Sequence, residues 1–242
     1  MLLNMTRRDE LLESIFENRA HSLSAVYGDW LSSSRRFTKF SEDYQTKIRK
    51  KIRLAAESEI GSDLHLEFET AFLMLREDAL TVEYEPEHRQ AGRSADFAVT
   101  FTSSMRFMVE VTRLHVTDSM AHGRIRDRLL DTICGKLGQL KSSSANIVVI
   151  GVDAESLTQA ALASTLKTLQ QRAEQNDKDV VQKHGYKNRS DFFDHYRRLS
   201  AVMVRGVPLQ GKAGCEFCEN TLTKYPLPSK IKTTLIRSHQ LQ

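Results

Sequence analysis

Ser94-Ala95-Asp96-Phe97-Ala98-Val99-Thr100-Phe101 and Arg106-Phe107-Met108-Val109-Glu110-Val111-Thr112 are two short segments that each carry one acid among apolar neighbours. Their alternation of side-chain character is the period of a β-strand, and the gap between them is the length of a hairpin loop. Phe97, Val99 and Phe101 fall on one face of the first strand, and Phe107, Val109 and Val111 on one face of the second. Pairing those faces sets Phe97 opposite Val109 and Asp96 opposite Glu110, with Thr102, Ser103 and Ser104 as the loop. Directly opposed residues on antiparallel strands have Cβ atoms roughly 4.5–5.5 Å apart. Two carboxylates at that spacing repel unless a cation lies between them or one is protonated. A divalent metal is the natural cation for such a pair. Mg²⁺ favours one or two carboxylates together with waters and phosphate oxygens, and Mn²⁺ is its usual substitute.

Helical segments lie on either side of this pair in sequence. Residues 64–77 place Leu64, Phe68, Ala71, Phe72 and Leu75 on one stripe at about 100° per residue, widened by Leu66 and Leu73. Glu69 projects inside that apolar arc, while Glu67 falls on the side nearer solvent. An acid on a buried face needs a neutralising partner such as Arg89, Arg93 or a lysine, or else a chemical role. In residues 121–140 the stripe is Ile125, Leu129, Ile133, Leu137 and Leu140, and Lys136 falls within it, with Arg128, Thr132 and Gln139 at its edge. Periodicity alone reads Lys136 as a stem lying on apolar surface with its ammonium reaching for water.

An acid in a first core helix, Ala95-Asp96-Phe97 on one strand, Val109-Glu110-Val111-Thr112 on the next, and a following helix with Lys136-Leu137-Gly138-Gln139-Leu140 together resemble the PD-(D/E)xK nuclease superfamily over residues 62–152. The resemblance implies a restriction-endonuclease-like fold, a mixed sheet flanked by helices. It implies that Asp96 and Glu110 bind Mg²⁺ (or Mn²⁺) with help from the Val111 carbonyl, and that Glu69 is the helix acid. The helix bearing Lys136 and Gln139 would lie over the site. Two positions depart from the pattern: Ala95 stands for the motif's proline and Thr112 for its lysine. Some members supply that lysine from the following helix, which points to Lys136. The expected activity is metal-dependent hydrolysis of a nucleic-acid phosphodiester, with DNA as the expected substrate. The alternative is an inactive module of the same fold that binds nucleic acid or a protein.

The rest of the chain supplies the frame. Residues 6–31 and 41–59 read as helices, with a break at Ser32–Ser34 and a helix stop at Gly61-Ser62-Asp63. Leu80–Tyr84 reads as a strand, 147–150 as a short buried strand, 154–173 as a helix, 172–190 as a long polar loop, and 199–204 as a strand. This order gives an α/β fold with a mixed sheet. Residues 1–60 read as an N-terminal helical extension and 61–242 as the α/β core with a C-terminal elaboration.

Between Arg35 and Arg53 lie eight basic residues against Glu42 and Asp43, a surplus suited to a phosphate backbone or to a solvated helix face. Overall the 242 residues carry a net charge of +4, and the mean hydropathy is −0.42. No stretch has the apolar length of a membrane span, and the charged N-terminus lacks a signal-peptide core, so a cytoplasmic location without a membrane partner is expected. Three cysteines, two of them in Cys215-Glu216-Phe217-Cys218, fall short of a disulfide framework or a four-ligand zinc site. His115 reads as a surface residue, whereas His122, Arg124 and Arg126 open a helix where phosphate is favoured. There is no phosphate-binding glycine loop, dinucleotide fingerprint or GxSxG elbow. A homodimer would suit an enzyme that cuts both strands of a duplex.

Overall fold

The computed structural model describes residues 6–55, 59–86, 95–114, 122–152, 158–206 and 215–240. The chain divides into two compact units, Met1–Val82 and Glu83–Gln242.

Five helices fill the first unit: α1 (Arg7–Phe16), α2 (Ser24–Ser33), α3 (Arg35–Asp43), α4 (Gln45–Leu54) and α5 (Glu59–Leu75). The single helix expected over 6–31 is two, because Glu17 and Asn18 both adopt left-handed backbone (φ 52° and 57°) and end α1. The serine break narrows to Ser34, whose hydroxyl accepts the Phe37 N–H and caps α3. The basic segment likewise bends at Tyr44, between α3 and α4. The helix stop expected at Gly61-Ser62-Asp63 is absent, since α5 runs through it. One glycine costs a helix only about 1 kcal/mol, which the packing of the following four turns outweighs.

Aromatic rings form the core of this unit. Tyr27 meets Phe16, Trp30, Phe37 and Phe68, and Trp30 stacks on Phe72. The Tyr27 hydroxyl and Ser41 Oγ share a buried hydrogen bond of 2.7 Å. The apolar stripe read for α5 is inside: Leu64, Leu66, Phe68, Ala71, Leu73 and Leu75 are all buried. Glu67 is not the solvated acid its helical angle suggested. It accepts from Lys51 Nζ at 2.6 Å in a half-buried pair.

A six-stranded mixed sheet runs in the order β1 (Leu80–Tyr84), β2 (Phe97–Phe101), β3 (Met105–Leu114), β4 (Ala145–Val152), β5 (Leu199–Gly206), β6 (Cys215–Glu219). β1 crosses the boundary between the units in sequence. β2 is antiparallel to β3, β4 is parallel to β3 and to β5, and β6 is antiparallel to β5. The parallel pairs require crossovers, supplied by α6 (His122–Leu137) and α7 (Gln159–Glu174). Both helices lie on one face of the sheet: Leu129, Ile133 and Leu137 of α6 and Leu162, Leu166 and Leu169 of α7 share a core with Val148, Ile150, Val202 and Val204. The chain is therefore an α/β protein with a six-stranded mixed sheet flanked by helices. Among the described residues no helix is long and apolar enough to cross a membrane.

The stretch read as a polar loop, 172–190, contains α8 (Lys178–Val181) and leads into α9 (Arg189–Tyr196). Its few apolar residues, Ala173, Val180, Val181 and Tyr186, all enter the main core. β6, which sequence reading missed, carries the CxxC. Residues three apart on a strand point to opposite faces, so Cys215 and Cys218 cannot share an ion or a disulfide there. The last helix is α10 (Ser229–Ser238).

His239 follows α10, fully buried, with Nδ1 near the Leu235 carbonyl and Ser238 Oγ. Burial, and then the Arg205 charge, push its pKa down to about 3. The unfolded chain takes up a proton on this ring below about pH 6.5 and the folded chain does not. Stability therefore falls as pH drops from about 6.5 towards 3. Urea unfolding should show a loss between pH 7 and pH 5 that is smaller by roughly 2 kcal/mol in His239→Asn than in the wild type. Equal losses in the two proteins would show that the ring is not held neutral by the fold.

Candidate functional site

The pairing of β2 and β3 sets the geometry of the acids. Its register is Phe97↔Val109, Ala98↔Met108, Val99↔Phe107, Thr100↔Arg106 and Phe101↔Met105, with Thr102–Ser104 as the turn. This is the register that the apolar alternation calls for. Asp96 sits one residue before β2, and extending the register by one step would set it opposite Glu110. Two bonds fix it there. Its backbone carbonyl accepts the Glu85 N–H at 2.8 Å, and its Oδ2 accepts the Val111 N–H at 2.7 Å. The second bond holds the carboxyl against β3 beside the neighbour of Glu110.

Glu110 lies in the middle of β3, opposite Val148 of the parallel neighbour, and is 6% exposed. Val148 belongs to the core beneath α6 and α7, so Glu110 faces the same helices. Thr112, two residues on and thus on the same face, is half-buried. A buried carboxylate without a countercharge would be costly, and α6 supplies one. Lys136 Nζ donates to Glu110 Oε1 at 2.8 Å. The lysine does not reach outward as periodicity alone suggested; its side chain is 22% exposed against 7% for Glu110. It stands in the last turn of α6, where the helix dipole also favours a cation.

α6 is itself held by the segment expected to be a loop. The Tyr186 hydroxyl donates to the Cys134 carbonyl at 2.7 Å, two residues before Lys136. Lys183 and His184 both engage Asp131 Oδ1. Burial works against ionisation of Asp131, but the Lys183 and His184 interactions outweigh it and hold the pKa below the usual value. The only sequence signal for this brace was the sparse Val180-Val181 and Tyr186 within polar surroundings.

Glu69 belongs to the first unit, where it is buried on α5 at 9% exposure. Gln139 lies beyond the end of α6, in a turn closed by its own N–H to the Lys136 carbonyl at 3.0 Å. Its side chain is half-buried and has no hydrogen-bond partner among the described residues. Val111 pairs with Val149 of β4. Arg89, Arg93 and His115 lie outside the described residues, as do the side chains of His122 and Arg124, while Arg126 is exposed on α6.

As a metal centre the cluster offers hard oxygen donors, two carboxylates and a nearby backbone carbonyl, which is the donor chemistry of Mg²⁺ and Mn²⁺. Among the described residues no group of three or more His, Cys, Asp or Glu side chains gathers closely enough to hold an ion. Comparison of the chain with protein-family models and curated proteins, and of its structure with solved structures, returned no match.

The Lys136–Glu110 contact makes a direct prediction about stability. Lys136→Met removes the ammonium beside a buried carboxylate and should cost about 2–4 kcal/mol in chemical denaturation. Adding Glu110→Gln to that variant should recover most of the loss. A cost below about 0.5 kcal/mol for Lys136→Met, with no coupling in the double variant, would show that the pair does not form in solution.

Proposed function

We propose that the protein is a metal-dependent nuclease with a divergent PD-(D/E)xK site on a restriction-endonuclease-like fold. The observation that carries this reading is Lys136 Nζ at 2.8 Å from Glu110 Oε1. The sequence lacks the motif lysine at Thr112, and the following helix brings an ammonium to Glu110 instead. The mixed sheet, with β2–β3 antiparallel and β3–β4 parallel around a crossover helix, supports the fold assignment.

On this reading Asp96, Glu110 and the Val111 carbonyl would hold Mg²⁺ or Mn²⁺. Such an ion polarises a phosphodiester and lowers the pKa of its bound water. The chain's own residues supply the rest. The Val111 amide orients Asp96 through Oδ2. Lys136 places positive charge beside Glu110, where it can stabilise the negative charge that builds up on a phosphate under attack. Gln139 is assigned as a ligand for water or phosphate. The surplus of positive charge in α3 and α4 suits a DNA backbone. A cytoplasmic enzyme, working as a homodimer on duplex substrates, is the setting proposed.

A second reading has one observation in its favour. The same ammonium neutralises Glu110 with no metal required, as it would in an inactive module of this fold that binds nucleic acid or a protein. Incubation with plasmid DNA and a short RNA, in Mg²⁺, Mn²⁺ or chelator, separates the two. The enzyme reading expects cleavage that needs metal, is abolished in Asp96→Ala and falls by about a hundredfold or more in Lys136→Ala. Cleavage no faster in wild type than in Asp96→Ala would overturn it in favour of the inactive module.

A further inference from the structure

The first unit contains a cleft of about 440 Å³ between the α1–α2 connection and the last turns of α4. That volume is within the range of small-molecule sites. Its floor is apolar: Ile15, Phe16, Ile52 and Ala55 line it and are buried. Its walls are basic, with Arg19 and His21 from the connection and Arg49 and Arg53 from α4.

The charges on the two walls are not equivalent. Three other cations of α3 and α4 are in use, while Arg35 and Lys50 are exposed and lie outside the cleft lining. Arg36 donates to the carbonyls of Leu75, Glu77 and Leu80, Lys39 pairs with Asp43, and Lys51 pairs with Glu67. Arg49 and Arg53 make no hydrogen bond or ion pair with any described residue. They lie four residues apart, one turn of helix, so both guanidinium groups present to the cleft from one face with Ile52 between them. The lining includes one acid, Glu17, which already faces Arg19 at 3.4 Å. The C-terminus of α4 adds about half a negative charge, less than either guanidinium. The net field inside the cleft is positive.

The aromatic wall adds a second requirement. The Phe16 and His21 rings lie 5.7 Å apart with an interplanar angle of 51°. His21 Nδ1 accepts the Leu23 N–H at 3.1 Å, which puts the ring proton on Nε2 as a donor. A ligand that fits must therefore join an anion, for two unpaired guanidinium groups, to a flat or apolar body, for the floor and rings. Arg is the side chain best matched to the paired oxygens of a phosphate.

We propose that this cleft binds a nucleoside monophosphate group, with Arg49 and Arg53 on the phosphate and the Phe16–His21 side against the nucleoside. The choice of a nucleoside as the carrier rests on the nuclease reading; the cleft itself asks for a phosphate beside an apolar body. The group can arrive as a free nucleotide or as the 5′-phosphorylated end of a strand, and the test separates these sources.

The full chain is titrated in EDTA, so that failure of the metal site cannot affect the outcome. The ligands are adenosine 5′-monophosphate, adenosine, and a short single-stranded oligonucleotide with either a 5′-phosphate or a 5′-hydroxyl. The monophosphate should bind at least about tenfold more tightly than adenosine. Arg49→Gln with Arg53→Gln should lower its affinity about tenfold or more, and Arg76→Gln, at an exposed cation just beyond α5 and outside the cleft lining, should leave it unchanged. A preference for the phosphorylated oligonucleotide as well identifies a strand end, and tight binding of the monophosphate alone identifies a free nucleotide. The proposal is overturned if the monophosphate and the phosphorylated strand bind no better than their unphosphorylated counterparts. It is equally overturned if Arg76→Gln weakens binding as much as the arginine pair does.

Discussion

A shift of one residue in the pairing of β2 with β3 would send Asp96 and Glu110 to opposite faces of the sheet, because side chains alternate along a strand. Everything at the candidate site depends on that register. Three features enforce it. Phe97, Val99, Phe107 and Val109 are fully or almost fully buried and cannot move to a solvated face without large loss. The three-residue turn leaves no slack, and the Asp96 carboxylate is bonded to the Val111 amide. That last bond serves fold and site together, since it closes the end of the hairpin and aims an acid.

The second constraint is the buried charge of Glu110. A carboxylate 6% exposed beneath two helices must have a cation, so the position of α6 and the ionisation of Glu110 are not independent. Lys136 links them, and Tyr186, Lys183 and His184 brace the helix that carries it. The polar 172–190 segment therefore has a structural consequence out of proportion to its composition: it fixes the helix that sets the charge at the site.

Alternation made β1, β2, β3 and the hairpin register legible in the sequence, because a half-buried antiparallel pair has a strong period of two. The buried runs of β4 and β5 were legible as strands for the same physical reason that makes parallel strands continuously apolar. Helix ends were less so. The split of residues 6–31 depends on two non-glycine residues in left-handed backbone, and α5 ignores a glycine in its first turn. β6 was hidden because its five residues include two glutamates and two half-buried cysteines. At the site, helical angle put Lys136 inside the α6 stripe but could not say whether the stem would lead to water or to an acid. That depends on a carboxylate 26 residues away in sequence and on the depth of Glu110 in β3. Gln139 was read at the edge of the same stripe, yet the helix ends at Leu137.

The proposed nuclease reading requires Asp96 and Glu110 to bind a metal ion where the Lys136 ammonium now lies beside Glu110. The most direct measurement is anomalous diffraction from crystals of the full chain equilibrated with Mn²⁺. The account predicts an anomalous peak in contact with carboxylate oxygens of both Asp96 and Glu110, with the Lys136–Glu110 bond lengthened or broken. Full Mn²⁺ occupancy elsewhere, with Lys136 still bonded to Glu110 and no peak at the acid pair, would contradict it.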